Sequence, residues 1–192
     1  MAQLGTDVAR AISFLQNGDV VGIPTETVYG LAGNALNPDA VLRIFSVKNR
    51  PAFDPLIVHT DSFEKAEAFV ETIPETARRL AEAFWPGPLT LVLPRRPVIP
   101  DLVTSGLGTV GVRVPNHPLT LDLLRRLDFP LAAPSANPFG YISPTTARHV
   151  ADQLGDQISY VLDGGPCGVG LESTIVGFEN DGPVVYRLGG LA

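Results

Sequence analysis

The sequence predicts a single α/β domain, spanning residues 1–192, around a mixed β-sheet. Three observations carry that prediction. Short apolar runs rich in β-branched residues recur between stretches of helical periodicity. The two kinds are interleaved without strictly alternating, which argues against an all-parallel sheet. Several apolar runs also end in polar side chains, and a helix-covered sheet presents its ligand site beyond its strand ends. At 192 residues, 45% hydrophobic and 18% charged, the chain is long and apolar enough to bury its own core.

Taken in order, Thr6 is the expected N-cap of a helix with Val8, Ala11, Ile12 and Leu15 on one face, stopped by Asn17-Gly18. A strand from Val20 to Ile23 then breaks into Pro24-Thr25-Glu26-Thr27-Val28-Tyr29-Gly30. If the backbone stays extended there, Thr25 and Thr27 face one side and form a wall of a site. The stretch reads equally well as a strand-to-turn junction with threonine as turn former. Asn37-Pro38-Asp39 starts a second helix running to about Val47, which empties into the basic loop Lys48-Asn49-Arg50-Pro51.

Leu56 to His59 is a short buried strand ending in a histidine. Helices are expected over Ser62 to Val70 and Pro74 to Phe84, before Trp85-Pro86-Gly87-Pro88 turns into a strand from Leu89 to Leu93. Pro94 to Pro100 reads as surface loop, and Val110 to Val114 as a strand delivering Arg113 among apolar neighbours. A helix from Pro118 to Leu127 and a strand from Leu131 to Ala133 lead to Pro134-Ser135-Ala136-Asn137. Ser143-Pro144 is expected to cap a helix through Leu154. Strands follow at Ile158 to Leu162, Ser173 to Phe178 and Val184 to Leu188, with a glycine-rich loop from Asp163 to Gly170 before the last two.

Composition narrows the function. A net charge of −6 provides no global basic field for a nucleic-acid backbone, although a local basic groove stays open. The single cysteine, Cys167, rules out an internal disulfide and a cysteine zinc site, and fits a reducing compartment. No apolar run approaches the ~20 residues of a membrane span, and no signal segment precedes the first helix, so the expected location is cytoplasmic, away from membranes.

Gly106-Leu107-Gly108-Thr109-Val110-Gly111 matches a dinucleotide fingerprint in letters, but it precedes a strand where the fingerprint must open a helix. No Walker loop, H-E-x-x-H or G-x-S-x-G occurs, and His117 and His149 read as surface or capping residues. What remains is a set of strand ends bearing Thr25 and Thr27, His59, Ser135 and Asn137, and Ser173, with Arg113 inside a strand and Lys48, Arg50 and Arg187 as further cations. Cations and hydroxyls with little nucleophile-and-base machinery suit the positioning of an anionic substrate, above all in phosphoryl or nucleotidyl transfer.

At these same residues the chain resembles the YrdC-like threonylcarbamoyl-AMP synthases. The resemblance rests on ordered blocks along almost the whole chain: Pro24 to Gly30, Lys48 to Pro51, Pro55 to His59, Trp85 to Thr90, Val112 to Pro115, Ala133 to Asn137, Ser143 to Thr145 and Glu172 to Ile175. It implies a twisted mixed sheet of about seven strands flanked by helices, around a concave, locally positive cleft. It also implies nucleotidyl transfer: L-threonine, bicarbonate or CO2, and ATP become threonylcarbamoyl-AMP and pyrophosphate, for threonylcarbamoyladenosine in tRNA.

Carried over by motif, the threonine pocket falls on Thr27, His59, Arg113, the backbone at Ala133, and Ser173. The ATP contacts fall on Lys48, Arg50, Asp54, Thr109, Ser135, Ser143 and Arg187, with Lys48 and Arg50 doubling as catalytic cations. No protein metal site is implied, Mg2+ being held mainly by the ATP phosphates. The implied partner is a downstream threonylcarbamoyl transferase complex, with weak tRNA binding left open. Asp54, Phe139 and Leu188 depart from the family pattern on the nucleotide side; Asp54 could be compensated by pairing with Arg50 or by helping to hold Mg2+, and pairing with Arg50 is the favoured expectation. The rival reading is a non-catalytic module that binds double-stranded RNA or tRNA in the same cleft; a carbamoyl transferase module of the hydrogenase-maturation type would need further domains.

Overall fold

The computed structural model describes residues 1–180 and 182–191. In chain order its elements are β1 (Gln3–Gly5), α1 (Val8–Gln16), β2 (Val21–Ile23), β3 (Gly30–Asn34), α2 (Pro38–Lys48), β4 (Ile57–His59), α3 (Phe63–Ala66), α4 (Glu75–Phe84), β5 (Leu89–Pro94) and α5 (Asp101–Thr104). There follow β6 (Thr109–Arg113), α6 (Pro118–Arg126), β7 (Leu131–Ala132), α7 (Ala147–Leu154), β8 (Tyr160–Leu162), β9 (Thr174–Glu179) and β10 (Gly182–Arg187). The strands form one sheet in the order β1-β8-β2-β3-β7-β4-β6-β5-β9-β10. It is mixed, as expected: β4 runs parallel to β6 and β5 to β9, while β2/β3, β5/β6 and β9/β10 are antiparallel.

Ten strands are present among the described residues where about seven were expected. Two of them escape a reading based on propensity. β1 is three residues long, partly exposed, and held by parallel pairing with β8. β3, Gly-Leu-Ala-Gly-Asn, has no β-branched residue, and both glycines stand where the backbone is closely approached. A Cβ on Gly33 would come within 3.2 Å of Ile44 Cδ1 in α2, and one on Gly30 within 3.2 Å of Ala133 Cβ.

Alternation along the strands divides the core between the two faces of the sheet. Val21, Ile23, Ala32, Tyr160 and Leu162 join the α1 residues Val8, Ala11 and Leu15 and the α6 residues Leu123 and Leu124. Leu31, Val58, Leu91, Val112 and Val161 pack with Val41 and Ile44 of α2, Ala77 and Ala81 of α4, and Val150 of α7. Each fully buried leucine or isoleucine contributes roughly 1.5–3 kcal/mol to holding these layers together.

Two expected caps move. Asp7, not Thr6, caps α1, its carboxylate accepting from Arg10 N at 3.2 Å. Thr146, not Ser143, caps α7 by accepting from His149 N, which leaves the Ser143 hydroxyl for another partner. The expected helix from Ser62 to Val70 shortens to α3, because Val70 instead bridges to Arg95. His117 stands at the N-cap of α6, and the G-x-G-x-x-G letters run into β6 rather than into a helix.

Candidate active site

A cavity of about 700 Å³ opens where the ends of β4, β6 and β7 meet β5 and β9. Adjacent parallel strands place His59 directly beside Arg113, and His59 is in turn opposite Leu131 of β7. The residues after β2 do not stay extended: Thr25 Oγ1 donates to Val28 O at 2.6 Å and accepts from Thr27 N at 3.2 Å. This turn brings the two hydroxyls to 2.9 Å and sends Thr27 into the cavity wall, leaving Thr25 behind it. Of the two readings open in the sequence, the turn is the one adopted, yet it still builds a wall.

The Thr27 hydroxyl accepts from Arg113 Nη1 at 3.0 Å, while Arg113 Nε donates to Gly87 O at 3.2 Å. On the opposite side, Ser173 and Thr90 share a hydrogen bond at 2.8 Å, and Arg187 donates through Nη2 to Ser173 O at 2.9 Å. Ala133 follows β7, its N–H donating to Ile57 O at 3.1 Å. Thr27, His59, Arg113, Ala133 and Ser173 all line the one cavity, and each is buried.

Burial sets the ionisation here. It pushes the His59 imidazole down to about 4, against the opposing Ile57 and Leu131 carbonyls, so His59 is neutral at pH 7. Its Nδ1 lies 3.1 Å from Ile57 O, and since a carbonyl only accepts, Nδ1 carries the proton. Arg113 is pulled down to about 9 by burial first and the Arg187 charge second, and remains a cation at neutral pH. Arg187 is lowered by burial and partly restored by Glu172. The wall carries Arg50, Arg113 and Arg187 against Asp54 and Glu172, three positive side chains to two negative, with Glu26 pairing Arg113 from outside the wall.

The residues expected on the nucleotide side divide. Arg50, Asp54, Thr109, Ser135 and Arg187 line the cavity. Arg50 Nη2 pairs with Asp54 Oδ2 at 2.9 Å, its Nε donates to Asp54 O at 3.3 Å, and the Phe139 ring centroid lies 5.8 Å from its guanidinium carbon. The expected Arg50–Asp54 pairing is therefore present. Lys48 and Ser143 are not part of the wall. Lys48 is buried beneath it, its ammonium donating to Ser135 O at 2.5 Å and to Asn137 O, and burial takes its pKa to about 7. It holds the Ser135 to Asn137 loop from below. Ser143 donates to the Glu172 carboxylate instead.

Sequence reasoning gave no site role to Thr72, Thr90, Glu172 or Tyr186, and noted the Glu26 carboxylate in the stretch after β2 without a partner for it. Thr90 and Glu172 line the cavity, and Glu26 lies behind it, paired with Arg113. Alternation in β5 would have put Thr90 on the side of Val92. Glu26 could have been found by asking which carboxylate neutralises a strand-borne arginine. Among the described residues there is no group of three or more histidine, cysteine or acidic side chains placed to hold a metal, and no helix is long and apolar enough to cross a membrane.

Fold and site together define an α/β protein whose cleft, lined by arginines and hydroxyls, suits an anionic ligand. The chain belongs to the Sua5, YciO and YrdC family: the family model, described as telomere recombination, matches residues 13–189. It is 50% identical over 181 residues to the threonylcarbamoyl-AMP synthase of Pyrococcus abyssi, covering 94% of this chain and 53% of that protein. It is 48% identical over 185 residues to the threonylcarbamoyl-AMP synthase of Bacillus subtilis, covering 96% of this chain and 54% of that one. The crystal structure of P. abyssi Sua5 complexed with L-threonine superposes with a TM-score of 0.93 at 49% identity, over 96% of this chain and 54% of the other. The chain thus spans about half the length of these relatives.

Proposed function

We propose that this chain, acting as one folding unit, forms the catalytic cleft of an L-threonylcarbamoyladenylate synthase, a nucleotidyltransferase serving threonylcarbamoyladenosine formation in tRNA. What supports the reading most is the convergence of Thr27, His59, Arg113, Ala133 and Ser173 on one cavity, in a chain half identical to a protein named for that activity. A solved relative carrying L-threonine supports the amino-acid half of it.

In this reading the threonine amine nitrogen bonds to the carbon of bicarbonate, one carbon–oxygen bond breaks, and water leaves a carbamate. A carbamate oxygen then bonds to the α-phosphorus of ATP as the bond to the β-bridging oxygen breaks, and pyrophosphate leaves with that electron pair. Arg113 receives the threonine carboxylate, because a guanidinium can grip it with two N–H groups. Thr27, neutral His59 and Ser173 read the amine and hydroxyl, while Arg50 and Arg187 offset charge on the triphosphate. Lys48 acts through the Ser135 to Asn137 loop that its ammonium fastens.

Mg2+ supplies charge neutralisation on the phosphates when bound. The donors present fit an ion carried chiefly by ATP: Asp54 is paired with Arg50, and Glu172, which accepts from Ser143 through one oxygen, would reach the ion with the other, directly or through water.

Incubation of the chain with ATP, Mg2+, bicarbonate and threonine should release pyrophosphate. Equal release without threonine contradicts the assignment. Titration calorimetry separates the RNA-binding rival: the synthase binds ATP and threonine without RNA, whereas the rival binds RNA with a steep salt dependence and ignores threonine.

A further inference from the structure

Arg113 has three of its five N–H groups committed before any ligand arrives. Nε donates to Gly87 O at 3.2 Å, Nη1 to Thr27 Oγ1 at 3.0 Å, and Nη2 to the Glu26 carboxylate. One N–H is left on each terminal nitrogen. The guanidinium lines the cavity, whereas Glu26 does not; it approaches from behind, its other oxygen accepting from Asn116 N. Backbone bonds fasten Glu26 in place: its carbonyl accepts from Val169 N at 2.8 Å, and that of Thr27 from Gly170 N at 3.0 Å. Glu26 thereby ties together the turn after β2, the segment after β6 and the glycine-rich loop before β9.

Gly87 O and Thr27 Oγ1 are neutral acceptors, and Glu26 is the one anionic acceptor of the three, holding the Nη2 corner of the planar guanidinium. A charge-assisted bond of this kind is about twice as strong as a neutral one and directional. The Glu26 side chain is 14% exposed and that of Arg113 is 5% exposed, so little water is available to take over the same work.

We propose that Glu26 is a positioning residue: it holds the Arg113 guanidinium in the orientation that aims its two uncommitted N–H groups at the substrate carboxylate, without itself touching substrate. The carboxylate seat of the cleft is then set from behind the wall. This rests on the reading of the substrate as an amino acid given above, and the experiment is arranged so that the two can fail separately.

Glu26→Gln preserves size and removes the charge, and Glu26→Asp preserves the charge but shortens the reach. Two quantities are measured for each: the Kd of L-threonine and of ATP by calorimetry, and the Arg113 guanidinium N–H resonances by 15N-edited NMR, assigned by their absence in Arg113→Lys. In the parent protein the Nη protons should appear as separate, restrained signals; in Glu26→Gln the Nη2 pair should merge as rotation about the Cζ–Nη2 bond becomes faster. Threonine Kd should rise about tenfold or more, as for loss of one charge-assisted bond, with ATP Kd within about twofold and Glu26→Asp intermediate for threonine. Restrained Nη2 signals in Glu26→Gln, unchanged threonine affinity, or equal losses for threonine and ATP overturn the proposal. If the signals merge as expected but the parent protein binds no threonine, the positioning role stands and the amino-acid reading falls. Should Glu26→Gln fail to fold, Glu26→Asp carries the same measurements with the same opposing results.

Discussion

On one wall of the cleft, Thr27, His59, Thr90, Arg113 and Ser173 sit on or beside paired strands, and all are buried. At the rim, Asp54 and Phe139 ride on loops and keep 38% and 46% exposure. The buried wall is over-determined, each polar group being held by at least one partner inside the fold. Its groups are desolvated before the ligand arrives, so a substrate atom that fails to pair with them leaves a costly orphan. The rim groups stay in contact with water and exchange one partner for another at little cost. The contrast places discrimination among substrates on the wall rather than at the rim.

The largest break in this contrast should come from Arg113. Arg113→Ala leaves the mostly buried Glu26 carboxylate with only Asn116 N as partner and should cost about 3 kcal/mol of stability in denaturant unfolding. Arg113→Lys keeps the charge but loses the two-pronged grip, and should fold while weakening threonine binding by about a hundredfold in calorimetry.

His59 provides a pH test of the wall. Its imidazole titrates at about 4 in the fold, below the ordinary 6.5, so the unfolded chain binds more protons between those values. Stability from this group is fully present above pH 6.5 and is lost as pH falls toward 4, amounting to about 3 kcal/mol. Denaturant midpoints across that window should fall more steeply for the parent protein than for His59→Gln. Parallel slopes would show that the imidazole is not held neutral by burial.

Smaller effects sharpen the picture. Thr90→Val removes the partner of Ser173 without reaching the rim, and should raise threonine KM about tenfold while leaving ATP KM alone. Asp54→Asn should change ATP affinity by less than tenfold, about 1.4 kcal/mol, because the carboxylate is already offset by Arg50 at 2.9 Å. Arg50→Ala should lose more than Asp54→Asn does in the same binding assay.

Much of this was legible in the sequence, and the gaps have physical causes. Strands with β-branched runs, such as Val110 to Val114, declare themselves, and the residues proposed for the threonine pocket, chosen by motif, meet at one cavity. β3 does not, because Gly30 and Gly33 are selected for close packing against α2 and Ala133, and that choice erases strand propensity. Lys48 reads as a loop cation, yet it ends α2 with its side chain turned under the loop. Its direction depends on where Ser135 and Asn137 lie, and no local pattern records that. Glu26 and Arg113 are 87 residues apart, and only the sheet brings them together.

The buried wall should read a hydroxyl on a carboxylate-bearing substrate. Calorimetric competition among L-threonine, L-serine and L-valine tests this directly, since valine matches threonine in shape but lacks the oxygen, and serine keeps the oxygen but lacks the methyl. A site that hydrogen-bonds a hydroxyl rejects its absence far better than it notices a missing methyl group. Threonine should bind most tightly, serine next and valine least, with valine separated from serine by at least about tenfold. Valine binding as well as threonine would contradict the assignment of Thr27, His59 and Ser173 to reading the substrate hydroxyl.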